Sequence, residues 1–101
     1  MKKAFTCIAL CIAIQAVAAD HYCDFVEGVA RTTMQARQNG ASMGKVMDAA
    51  LSIQDKNINL IAKDIVETAY EKPHFRTDAH KKRAIDGHAN EWAAICWRKY
   101  K

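Results

Sequence analysis

The stretch from Asp55 to Pro73 reads DKNINLIAKDIVETAYEKP. Its apolar residues Ile58, Ile61, Ala62, Ile65, Val66 and Ala69 recur every three or four positions. That is the spacing of one face of an α-helix, and it does not fit the strict alternation of a strand. The helix starts near Asp55 or Asn57. Pro73 closes the helix, because the residue before a proline avoids helical geometry. A helix with one apolar face must bury that face, so its partners have to come from the sequence on either side.

Upstream, residues 22–38 carry Cys23, Val26, Ala30, Met34 and Arg37 on one stripe, with Val29 and Thr33 beside it. Asn39-Gly40 is a stop signal, since glycine tolerates the left-handed geometry that ends helices. Ser42 can then cap a short second helix with Met43, Val46, Met47 and Ala50 turned inward. Downstream, Thr77 can cap a last helix from Asp78 to about Lys99, with an inner stripe of Ile85, His88, Ala89, Trp92 and Cys96. Pro73 is the only proline, and no alternating strand pattern is present. The expected fold class is all-α, a small bundle of three to four helices.

The N-terminus has a different character. Met1-Lys2-Lys3 is followed by an apolar run from Ala4 to Ala18, broken only by Thr6 and Gln15, and by small residues at Ala16, Ala18 and Ala19. A charged start, an apolar middle and a small-residue end predict a secretory signal peptide over residues 1–19, leaving one domain over 20–101. The short basic start suits a bacterial or phage gene, and the expected destination is the periplasm or the medium. Of the 15 basic side chains, loss of Lys2 and Lys3 leaves 13 against 11 acidic ones, a net charge of +2.

Cleavage also removes Cys7 and Cys11, so Cys23 and Cys96 remain. In an oxidising compartment an even pair predicts a disulfide. Redox-active pairs usually lie close in sequence, as in C-x-x-C, and two thiols alone do not make a zinc site. The bridge would close the bundle end to end and set the first and last helices antiparallel. Trp92, Trp97, Tyr22 and Tyr100 should then crowd around it, while Met34, Met43 and Met47 fill the far end.

The segment Arg37-Gln38-Asn39-Gly40-Ala41-Ser42-Met43-Gly44-Lys45-Val46-Met47 and the later Ala69-Tyr70-Glu71-Lys72-Pro73 resemble a family of small secreted helical proteins from bacteria and their phages. With the two flanking cysteines the resemblance spans most of the mature chain. It implies a secreted helical domain with one bridge, and it transfers no catalytic residue.

Candidate chemistry is sparse. The histidines are His21, His74, His80 and His88, and no H-E-x-x-H or His-x-x-x-His pair exists among them. His88 falls on the apolar stripe, where a partly buried imidazole resists protonation and can sense mild acid. If cleavage follows Ala18, His21 becomes the third residue. The free amine, two backbone amides and the imidazole would then offer a square-planar copper or nickel site, which cleavage after Ala19 would abolish. Ser42 and Ser52 are both placed as helix-boundary residues, and no nucleophile elbow or phosphate loop is visible. The expectation is that the protein is not an enzyme.

Charge is the stronger signal. Residues 20–71 carry 5 basic and 8 acidic groups, whereas residues 72–101 carry 8 basic and 3 acidic. Lys72, Arg76, Lys81, Lys82 and Arg83 surround a segment holding Pro73, His74 and Phe75. A basic loop with an aromatic is the pattern of a docking surface for an acidic partner. The expected partner is another envelope protein, with anionic lipid or lipopolysaccharide phosphates as further candidates; nucleic acid is not expected for a secreted protein. The resulting expectation is a periplasmic binding protein, an inhibitor or immunity factor, with Pro73, His74, Phe75, Arg76, Lys81, Lys82 and Arg83 as the contact residues. An envelope-stress chaperone of the acid-responsive type and a copper or nickel binder through His21 are the alternatives.

Overall fold

In the computed structural model, which describes residues 21–99, the described residues form four α-helices: α1 Tyr22–Gln38, α2 Met43–Leu51, α3 Lys56–Glu71 and α4 Asp78–Lys99. The expected signal peptide, Asp20, Tyr100 and Lys101 lie outside the described residues. Local chemistry sets the helix ends. Asp55 caps α3: its carboxylate accepts the amides of Asn57 at 2.9 Å and Ile58 at 3.1 Å. Two of the four donors that a helix start leaves unpaired are thereby satisfied. Ser42 caps α2 by accepting from the Lys45 amide, and Thr77 Oγ1 accepts from the His80 amide at the start of α4.

The end of α1 is a Schellman turn. Gly40 takes φ of 87°. The Ala41 amide reaches back to the Ala36 carbonyl at 2.9 Å and the Gly40 amide to Arg37 at 3.1 Å. These are the six-to-one and five-to-two bonds that close a helix on a left-handed residue. The Asn39-Gly40 stop in the sequence has this physical cause.

Packing follows the stripes. Cys23, Val26 and Ala30 of α1 meet Ile65 of α3 and Cys96 of α4, with Tyr22, Val29, Ile61 and Trp92 packed around them. A second cluster joins Ala50 of α2 to Ala62 and Val66 of α3, with Val46, Met47, Ile53 and Tyr70 against it. Val29 touches both clusters. Helix α1 is thus the central element, holding α4 and α3, while α2 rests mainly on α3.

Helices α1 and α4 run antiparallel. Cys23 is bonded to Cys96, Arg31 pairs with Asp86 at 2.6 Å, and Gln38 meets Phe75 at 2.9 Å, so rising numbers on one helix match falling numbers past the other. The disulfide joins residues 73 apart and brings their Cα atoms to 5.5 Å. Lys82 and then Arg31 hold the Asp86 carboxyl below the usual carboxylate range. At this exposure the Arg31–Asp86 pair marks how α4 sits along α1 more than it stabilises the fold.

Two inward placements are corrected. Met43 is exposed, because α2 leans on α3 and its first residue lies beyond the second cluster; Met47, one turn later, packs there. Trp97 is also exposed, since it follows Cys96 directly and points about 100° away around the helix. Trp92, four residues before Cys96, shares the buried face and packs beside the bridge. Met34 is fully buried, as expected.

Candidate partner-binding surface

The segment between α3 and α4, residues 72–77, is fastened to the end of α1. Gln38 is the last residue of α1 and is buried, with 1% of its surface exposed. Its Nε2 amide donates to the Pro73 carbonyl at 2.9 Å, and its Oε1 accepts from the Phe75 amide at 2.9 Å. Its backbone carbonyl accepts from His74 Nε2 at 2.9 Å. One glutamine thus satisfies three successive residues of an irregular segment whose backbone would otherwise need water.

Arg37 adds a second fastening. Its Nε and Nη2 donate to the Lys72 carbonyl at 3.2 and 3.0 Å, and its guanidinium lies 5.0 Å from the centre of the Tyr70 ring. The Tyr70 hydroxyl in turn donates to the Ala41 carbonyl at 2.6 Å. Burial pushes the Tyr70 phenol up, with the Arg37 charge opposing. Lys72 is extended, with ψ of 150°, as a residue before proline must be. The C-terminal ends of α1 and α3 are therefore knitted together beneath the segment.

Above this base the basic residues are displayed. Pro73, His74, Arg76 and Arg83 are exposed, while Phe75 and Lys81 are half-buried. The Phe75 ring lies 5.8 Å from that of His80, whose Nδ1 is 2.8 Å from Thr77 Oγ1. Lys82 is paired with Asp86 at 2.9 Å and Lys72 with Glu91 at 3.4 Å. Among the described residues Arg76, Lys81 and Arg83 form no ion pair, so their charge is open to an external partner.

The seven residues singled out in the sequence lie along the connector and the first turns of α4. Sequence reasoning missed the residues that position them. Gln38 continues the Ala30, Met34 spacing by one more turn, and this period was the available signal for a buried polar side chain. His21 stands apart from this site: it is exposed, with Nδ1 3.7 Å from Asp24 Oδ2. Among the described residues no group of three or more histidine, cysteine or acidic side chains is gathered as metal ligands. No described helix is long and apolar enough to cross a membrane. Comparison with protein-family models, curated proteins and solved structures finds no match.

Proposed function

We propose that the protein is a non-enzymatic, secreted binding protein of the bacterial envelope that engages an acidic surface on another envelope protein. The contact runs through the connector and the first turns of α4, and an inhibitor or immunity factor would work in this way. One observation carries the reading: an exposed basic segment is fastened to the end of α1 by hydrogen bonds from Gln38 and Arg37. Association costs conformational freedom, and a loop already fastened by part-buried hydrogen bonds gives up less of it on docking. Arg76 and Arg83 supply the unpaired charge, and Arg is the cation suited to planar carboxylates. The half-buried Phe75 ring offers an apolar edge within the polar rim.

The test begins with capture of the oxidised, tagged protein's partner from its native envelope, followed by affinity measurement on the purified pair. Replacing Arg76 and Arg83 together by glutamate should weaken binding by about tenfold or more, chiefly through a slower association rate. The loss should shrink as salt is raised. Both side chains are exposed, so the thermal midpoint should stay within a few degrees of the parent. Unchanged affinity in the folded double variant would remove this surface from the proposal.

A further inference from the structure

We infer that His88 is a proton-operated latch between α4 and α3, closed while the imidazole is neutral and released when a second proton reaches the ring. The side chain has 0% exposure, and the residue as a whole 2%. Its Nε2 lies 3.1 Å from the Ile65 carbonyl of α3. A carbonyl can only accept, so Nε2 carries the hydrogen and Nδ1 is the bare nitrogen of the neutral ring. Nδ1 is buried and has no hydrogen-bond partner.

Burial disfavours a charge on the ring, and the charged groups around it do not reverse this. From its own helix comes Glu91, whose Oε1 is 3.8 Å from Nδ1, too far for a hydrogen bond. That same oxygen is engaged by the Lys72 ammonium at the C-terminal edge of α3, 3.4 Å away. The charges that α1 brings to this side are already committed: Arg31 to Asp86 and Glu27, and Arg37 to the Lys72 carbonyl. A proton added at Nδ1 would therefore create a buried cation whose nearest acceptor, the Glu91 carboxylate at 3.8 Å, lies beyond hydrogen-bond distance and is shared with Lys72. Burial, above all, lowers the proton affinity of the ring; the Ile65 bond opposes this, Lys72 adds to it, and Glu91 opposes it weakly.

The direction of the pH effect follows. In the unfolded chain His88 titrates near the ordinary value of 6.5. Above that pH both states hold a neutral ring and the fold keeps its full stability. Below it the unfolded chain takes up a proton that the folded one refuses, so the folding constant falls by up to about tenfold per pH unit until the lower folded value is reached. Asp86 acts in a separate window, because its lowered carboxyl withdraws its contribution only below about pH 3.8. Acid release would loosen α4 from α3 at the Ile65 carbonyl while the disulfide still ties the C-terminal end of α4 to α1.

The experiment compares urea unfolding of the oxidised protein and of His88→Gln from pH 7 to pH 5. Glutamine presents an N–H toward the Ile65 carbonyl and does not titrate in this range. The parent should lose stability at close to the stated slope below pH 6.5, and the variant should be flat. Parallel curves would overturn the latch. A proton NMR titration of the unmodified protein decides the matter even if the variant folds poorly: a His88 midpoint below 6.5 is expected, and one at or above 6.5 refutes it.

Discussion

Replacing Cys23 and Cys96 together by alanine should lower the unfolding free energy by about 4 kcal/mol, the chain-entropy value for a loop of this length. The bridge spans a separation of 73 residues. Without it, the unfolded chain regains nearly all of its freedom while the folded state loses only one covalent contact. Domains of this size typically hold 5–15 kcal/mol in total, so the variant should be marginal at body temperature. Urea unfolding of the oxidised parent, the reduced parent and the double variant provides the check. The last two curves should coincide near a much lower midpoint. A difference below about 1 kcal/mol between oxidised and reduced protein would mean that the unfolded ensemble already keeps its ends together.

The second large effect is expected at Gln38. Gln38→Leu has similar volume but strips the donor from the Pro73 carbonyl and the acceptor from the Phe75 amide. Two partly buried backbone groups would lose their partners, at a combined cost of about 2–3 kcal/mol. The signature is local as well as global. Hydrogen exchange at the Phe75 amide should accelerate strongly, while amides near Cys23 and Cys96 keep their protection. Because the connector would no longer be held in one shape, affinity for an acidic partner should fall even though no exposed charge has changed. Uniform loss of protection across the domain, with no excess at Phe75, would show that Gln38 serves the fold generally and not the connector.

Much of this architecture was legible in the residues. The caps at Ser42 and Thr77, the Asn39-Gly40 stop and Pro73 mark helix ends because each acts through its own immediate backbone. The stripe from Ile58 to Ala69 placed α3 because burial and helical period coincide there. The pairing of Cys23 with Cys96 followed from there being one way to join two cysteines. The basic connector was visible as composition. Its fixing was not, since Gln38 binds residues 35 to 37 positions away and their proximity depends on how the ends of α1 and α3 meet. Met43 and Trp97 were misplaced for a related reason: a stripe tells which side of a helix is apolar, and the lie of the neighbouring helix decides how far the cover extends.

The end-to-end bridge also gives the domain an unusual mechanical character. A pull applied to the chain on either side of residues 23–96 passes from one cysteine to the other across a Cα span of 5.5 Å, and no helix bears the load. The oxidised domain would behave as a short, inextensible link whose fold is untouched by tension. Reduction places the whole segment in series with the force and frees about 250 Å of contour as it unravels. At the opposite end of the α1–α4 pair, the basic connector stands outside this load path, so a tether at either flank would leave its shape intact for as long as the sulfur link holds.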